Sequence, residues 1–308
     1  VDITFSSRAY IEKFCQDSSW EGIIFLGGGM LSRQYIPVAP LSSFIRCFWY
    51  ADGTATPHTP LTHTRERLLP NGEFSMVFNL VDEPIRLYDS QDLTRCHAYG
   101  GAVLSGARAN CFAIDTSQQE RVLGIQFRPG GAFPFLGMPA SEAEGISIAL
   151  TDLWPQQAGE LREQVLAARS VPGMFTILER FLLWRLRRAS DYHPAVTYAL
   201  QQFRRTDGAF KILRVTEQIG LSARRFTELF HKQVGLTPKV FTRVLRFQNV
   251  LQALRGETNP AWAELALRCG FYDQAHFIHE FQTFSGLTPT AYRQVATPHL
   301  NHVPIVSL

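Results

Sequence analysis

Between Tyr35 and Phe127 the apolar residues come in short runs spaced near two, and from Leu161 onward they recur three and four apart. A spacing of two lines one face of a strand, and 3.6 lines one face of a helix. The first pattern predicts strands over Ser42–Tyr50, Arg67–Leu69, Phe74–Leu80, Ile85–Tyr88, Ala98–Leu104, Cys111–Ile114 and Val122–Phe127. Pro70-Asn71-Gly72 is a strong turn between two of them. Many short strands of this kind predict a small antiparallel barrel or sandwich. After Phe127 the period changes. Arg128 to Gly137 reads as a turn and a short helix, and Leu161–Leu166 and Phe175–Leu186 as amphipathic helices.

Ahead of the strands, Ala9–Phe14 reads as a short helix. Gly22 to Gly29 runs through an apolar, strand-like stretch into three glycines. No Lys-Ser/Thr follows them, so they predict a flexible connection and not a phosphate loop. Met30 is then a candidate natural start, with 1–29 as an extension. Ala189-Ser-Asp-Tyr-His-Pro194 reads as linker, and Pro194–Phe203 as the start of a further helical region. The tail 296–308 is expected either to be disordered or to dock on the body.

The helical third contains one unit written twice. Gly220-Leu-Ser-Ala-Arg-Arg-Phe-Thr-Glu-Leu-Phe-His-Lys-Gln-Val-Gly-Leu-Thr-Pro238 is followed by Gly270-Phe-Tyr-Asp-Gln-Ala-His-Phe-Ile-His-Glu-Phe-Gln-Thr-Phe-Ser-Gly-Leu-Thr-Pro289. In each, a Gly turn leads to a capping Ser222 or Asp273, whose side-chain oxygen suits the orphan amides of a first helical turn. Phe226, Leu229 and Phe230, and in the second copy Phe277, Phe281 and Phe284, make the buried stripe. Gly235 fits a left-handed helix end. Thr237 then caps the next helix, with Pro238 at its first position. The pattern is helix-turn-helix, twice.

The outward face of the first copy carries Arg224, Glu228 and His231, flanked by Arg225 and Lys232. The second presents Ala275 and His279, flanked by His276, Gln282 and Thr283. In a helix-turn-helix these early outward positions reach base edges in the major groove. Arg can bond guanine in bidentate fashion, Glu can accept from cytosine, and His or Gln can meet a purine edge. Arg225 and Lys232 suit phosphate equally well, and Glu228 is also placed to pair with Arg224 four residues away. Pro238 to Arg255 between the copies follows helical spacing through Phe241, Val244, Leu245, Leu251 and Leu254, with Gln248 the one polar member. Eighteen residues make a rod of roughly 27 Å.

Charge sharpens this picture. The net +3 hides +6 on residues 204–293 (13 Lys and Arg against 7 Asp and Glu) and −3 on 1–203. The basic excess sits on the repeated units, as neutralisation of phosphate requires. Five cysteines, an odd number and scattered, form no CxxC, which argues against a disulfide framework or zinc knuckle and fits a reducing cytosol. No apolar run approaches a membrane span.

The C-terminal stretches Ile219-Gly-Leu-Ser222, Phe230 to Pro238, Ala266-Leu-Arg-Cys-Gly-Phe-Tyr-Asp-Gln-Ala-His-Phe277, Glu280-Phe281 and Phe284-Ser-Gly-Leu-Thr-Pro289 resemble the DNA-binding domain of AraC/XylS-type transcription regulators. That resemblance implies two helix-turn-helix subdomains on one long helix, with base readers falling on Arg224, Arg225, Glu228, Gln274, Ala275 and His279. Ala275 offers only an apolar contact. The segments Tyr35-Ile-Pro-Val-Ala-Pro-Leu-Ser42, Phe48-Trp-Tyr50, Glu66-Arg-Leu-Leu-Pro-Asn-Gly72 and Gly124-Ile-Gln-Phe-Arg-Pro-Gly-Gly-Ala132 resemble an uncharacterised β-rich domain that precedes many such modules. The family implies a cytoplasmic protein acting on double-stranded DNA, a small-molecule effector, a homodimer and contact with RNA polymerase, and no cofactor.

The expected architecture is therefore α+β. A small N-terminal antiparallel barrel or sandwich with helices spans 30–186, and a linker 187–205. An all-α module of two helix-turn-helix units joined by a long helix occupies 206–295. The alternatives are a constitutive DNA binder whose first domain only dimerises, and an enzyme fused to an adapted DNA module. The histidines of the Thr/Pro-rich loop, His58 and His63, with Glu66, lack the paired HxH of a metal-binding barrel. Cys96-His97 point apart on a strand, so no thiolate dyad forms. Trp49, Tyr50, Arg65 and Arg67 remain the candidate ligand contacts, an aromatic pair and two cations on one strand face.

Overall fold

The computed structural model describes residues 22–26, 30–53, 64–116, 120–186, 192–205, 212–255, 257 and 260–305. The expected helix at Ala9–Phe14, the three glycines 27–29 and the histidines His58 and His63 lie outside them. Two antiparallel sheets make the N-terminal half. In chain order the strands are β1 (Gly22–Leu26), β2 (Met30–Tyr35), β3 (Ile45–Asp52), β4 (Arg65–Leu68), β5 (Ser75–Asn79) and β6 (Ile85–Asp89). They continue with β7 (Cys96–Tyr99), β8 (Ala102–Ser105), β9 (Phe112–Asp115), β10 (Arg121–Phe127), β11 (Ser147–Ala149) and β12 (His302–Ile305). One sheet is ordered β1-β2-β3-β10-β5-β8-β11 and the other β12-β4-β9-β6-β7.

The sheets do not close into a barrel, which corrects that half of the expectation; two open sheets remain. The reason lies in what each face must bury. Side chains alternate along β5 and β8, so Met76, Phe78, Ala102 and Leu104 line one face of the larger sheet and Val77 and Val103 the other. The first face joins Phe48, Tyr50, Leu123 and Ile125 in the main core, together with Phe175 and Leu178. The second meets Ile85, Leu87, Tyr99, Phe112 and Ile114 of the smaller sheet. Helices therefore cover the richer face, and the smaller sheet covers the other.

Those helices are α1 (Phe133–Leu136), α2 (Leu150–Leu153), α3 (Ala158–Ala167) and α4 (Val171–Leu186). Tyr35 and Phe48 stack on Phe175 at centroid separations of 5.8 and 6.1 Å, and the Tyr35 hydroxyl donates to Glu179 at 3.0 Å. Trp49, next along β3, points to the opposite face, where its indole lies over Gly124 of β10, its cross-strand partner. The run Ala98–Leu104, read as one strand, is two. Gly100 and Gly101 break it, with Gly101 at φ +66°, and β7 and β8 enter different sheets. β1 pairs in register with β2, so the larger sheet reaches into the stretch 1–29 expected to be an extension.

The C-terminal helices are α5 (Pro194–Arg205), α6 (Ile212–Ile219), α7 (Ala223–Val234), α8 (Pro238–Ala253), α9 (Trp262–Arg268), α10 (Gln274–Ser285) and α11 (Pro289–Val295). α5 lies where Pro194–Phe203 is expected to begin the helical region, and residues 187–191 of the expected linker lie outside the described ones. Val196, Ala199 and Phe203 are fully buried, and Phe203 packs edge-on against Phe230 of α7 at 5.8 Å. The tail docks, and by a strand: β12 pairs with β4, His302 opposite Leu68 and Ile305 opposite Arg65. That covers one edge of the smaller sheet, whose unpaired amides would otherwise stand free. One continuous core runs from the larger sheet through α7 and α8 to α10.

Candidate nucleic-acid interface

Each repeated unit is built by its caps. Ser222 Oγ accepts from the Arg225 amide and Asp273 from the His276 amide, which starts α7 and α10 at equivalent places. Gly235 and Gly286 close them at φ +87° and +70°, a region that suits glycine. Thr237 and Thr288 cap the following helices over Pro238 and Pro289. Inward, Phe226 and Phe230, and Phe277, Phe281 and Phe284, are buried; Leu229 is half-buried at the edge of the same cluster. Burying a phenylalanine is worth about 1.5–3 kcal/mol, so these rings hold each unit on its framework.

Outward, the first unit exposes Arg224, Arg225, Glu228 and Lys232. The Arg224 side chain is 90% exposed, and its Nε donates to Glu228 at 3.0 Å; Arg225 approaches the same carboxylate at 3.8 Å. In the free protein Glu228 thus gathers both guanidinium groups at the N-terminal end of α7. Exposed pairs of this kind are worth a few tenths of a kcal/mol, so a guanine edge can displace one readily. His231 is placed differently. It points to the N-terminal half, where its Nε2 lies 2.7 Å from Glu144 just after the 3-10 turn Ala140–Ala143. The C-terminal end of α7 is therefore a docking point and its N-terminal end is the free one. At that docking point a Cβ on Gly235 would stand 2.8 Å from the Phe74 ring.

The second unit exposes Gln274, Ala275, His279, Gln282 and Thr283. His276 is half-buried: its Nδ1 accepts from the Tyr272 amide at 3.3 Å, and its ring meets Phe271 edge-on. Of the residues expected to face DNA, His231 and His276 thus have structural partners, and the other seven stand in solvent or on the exposed rim. The bridging helix spans 16 residues, about 24 Å at 1.5 Å per residue, slightly shorter than expected. Phe247 and Val250 are buried as well as Phe241, Val244 and Leu251, because α8 packs against both units at once. Gln248 donates to the Pro70 carbonyl at 2.7 Å and to Asn301 at 2.9 Å, so this polar member ties α8 to the N-terminal half and the tail.

The four candidate ligand contacts do not converge. Tyr50 is buried and donates to Asp52 at 2.8 Å, while Trp49 covers Gly124 on the other face. Arg65 donates to Asp115 at 3.2 Å and lies 4.3 Å above the Tyr88 ring. Arg67 points toward the Gly286 turn.

Residues 215–295 match the family described as "Helix-turn-helix domain", and residues 33–148 match "Domain of unknown function (DUF6597)". The melibiose operon regulatory protein of Escherichia coli strain K12 is 29% identical over 90 residues, 29% of this chain and 30% of that one. The HTH-type transcriptional activator RhaR of Yersinia pseudotuberculosis serotype O:1b is 34% identical over 74 residues, 24% and 25% of the two chains. The C-terminal module is an AraC-type helix-turn-helix domain. The chain matches less than a third of the length of these curated relatives. Among solved structures, ToxT of Vibrio cholerae aligns over 74% of this chain and 95% of its own at 11% identity and a TM-score of 0.41. The C-terminal domain of AraT from Geobacillus stearothermophilus aligns over 34% and 88% at 21% identity and a TM-score of 0.32.

Two features of the AraC-type module escaped the sequence reading. Arg243 of α8 grips Glu280 of α10 through two bonds of 2.7 and 2.6 Å, and the Glu280 side chain is only 8% exposed. Burial works against that charge, but the bonds and charge of Arg243 outweigh it and hold the carboxyl below its ordinary range. Arg246 adds a bond to the Gly270 carbonyl at 3.0 Å. Together they tie α10 and the turn before it to α8. Tyr272, 85% exposed, stands one residue before the α10 cap. No helix among the described residues is long and apolar enough to cross a membrane.

Proposed function

We propose that this protein is a sequence-specific, DNA-binding transcription regulator. The observation that carries the reading is two equivalently capped helices, α7 and α10, that expose their N-terminal outward residues from one rigid bridge. Arg224, Glu228, Gln274, Ala275 and His279 read base edges, and Arg225 and Lys232 bind phosphate. The N-terminal domain senses a small molecule, dimerises, or does both, and acts on the module through the continuous core and the β12–β4 pairing. Coupling of this kind requires an effector to prefer one arrangement of the two halves.

The test is selection of binding sites from a random pool of duplex DNA, followed by titration of the winning duplex. A site enriched at about 150 mM salt, and bound at least 1,000-fold more tightly than scrambled duplex, supports the reading. Equal affinity for both duplexes contradicts it.

A further inference from the structure

A cleft of about 330 Å³ opens where the two halves meet, and no residue of either reading helix lines it. Leu68 and Phe112 of the smaller sheet, Leu69 after β4, Ser105 at the end of β8 and Arg108 beyond it, Arg255 just past α8, and the tail His299–His302 all contribute to it. The volume lies at the lower end of the range of small-molecule sites and holds roughly ten water-sized groups. Its walls are mixed, with Leu68, Leu69, Phe112 and Leu300 apolar and the remainder mostly polar.

The polar groups are not all satisfied. Arg108 donates to Ser147 Oγ at 2.6 Å, and its guanidinium lies 4.5 Å above the Phe112 ring. Its buried Nε has no hydrogen-bond partner among the described residues, and neither has the buried Nε2 of His299. Leaving such groups unmet costs about 1–3 kcal/mol each, more for a charged group. Burial brings the Arg108 pKa down to about 10, so it is still a cation at neutral pH. Burial first, and then His302, lower the His299 pKa from its ordinary value, which favours the uncharged imidazole at neutral pH. The one carboxylate in the lining, Glu73, is held by Arg46 and by Gln126 at 2.9 Å. Arg255, at the exposed rim, donates to the Pro298 carbonyl at 2.9 Å and adds a second cation. A planar guanidinium with a spare N–H fits a carboxylate or phosphate oxygen.

From this arrangement we infer that the cleft is a binding site for a small organic anion, a carboxylate or phosphate ester, held by Arg108 and Arg255 and bonded by His299. The proposal deepens the sensing role above and rests on it for its purpose, since the anion would join β4 and β9 to α8, the bridge of the AraC-type module. Binding itself needs no DNA.

The experiment is calorimetric titration of the free protein with acetate, citrate, benzoate, inorganic phosphate and glycerol 3-phosphate, with glycerol as the neutral control, in dilute chloride buffer. Saturable one-to-one binding of at least one anion, none of glycerol, a loss of at least tenfold in Arg108→Gln and at least threefold in Arg255→Gln, and no change in Arg169→Gln on the outer surface support the site. The carboxylate and phosphate arms identify which oxyanion it takes. Arg255 is exposed, so its variant reports even where Arg108→Gln fails to fold. No saturable binding by any of the five anions overturns the proposal, and so does binding that neither Arg variant weakens. Anion binding that leaves DNA affinity unchanged supports the site and contradicts the sensing role.

Discussion

Glu280→Gln removes one charge from the joint between α8 and α10 while keeping its shape. Two charge-assisted bonds of 2.7 and 2.6 Å are weakened, and the carboxylate side is 8% exposed. Breaking a fully buried pair costs about 3–5 kcal/mol. Arg243 is 29% exposed and can recover part of its hydration, so a loss of about 2–3 kcal/mol is expected. The assay is urea unfolding at pH 7 of wild type, Glu280→Gln, Arg243→Met and the double variant. The double variant should be no worse than the poorer single, giving a coupling of about 2 kcal/mol. The folded carboxyl is depressed, so its contribution is complete above the ordinary glutamate value of 4.5 and is lost as the pH falls through the lower folded value. Wild type should therefore lose its advantage over Glu280→Gln only below about pH 4.5. Additive single effects, or an advantage that disappears already at pH 6, would refute the role given to this pair.

Arg224→Ala should weaken the selected site by about 1–3 kcal/mol and relax its sequence preference, whereas Lys232→Ala should weaken all duplexes alike and flatten the salt dependence by about one unit of slope. Fluorescence anisotropy at three salt concentrations separates the two. Gly124→Ala forces a Cβ into the Trp49 indole and should cost about 1–3 kcal/mol in urea unfolding, relieved when Trp49→Leu is added. Truncation after Thr297 removes β12 and bares β4, and should give concentration-dependent aggregation in light scattering that the full chain does not show.

How legible each of these features was depends on sequence distance. Ser222, Gly235, Asp273 and Pro289 act on backbone within three or four residues, so the caps and stripes of both units could be read directly. The Ala98–Leu104 run hid a change of sheet, because a period of two says which side chains share a face but not which sheet they join. Only Gly100 and Gly101 carried a signal, and an isolated glycine pair is weak evidence. Arg243 and Glu280 are 37 residues apart, and β12 meets β4 across 236, so neither contact has a local signature. Phe247 and Val250 could have been found, since a helix with two apolar faces is one that packs on two partners. The barrel failed for a related reason: alternation along β5 and β8 does not reveal that helices from further along the chain cover one face. The four aromatic and cationic ligand candidates lay close in sequence but on opposite faces and different sheets, while the cleft draws on five separate segments.

The central claim is that both units read DNA at once, and chemical footprinting on the selected duplex tests it most directly. Wild type should protect two segments about ten base pairs apart, in successive major grooves on one side of the duplex. His279→Ala should lose or narrow the segment under α10 and leave the one under α7 intact. A single protected segment in wild type, or a His279→Ala footprint identical to wild type, would contradict it.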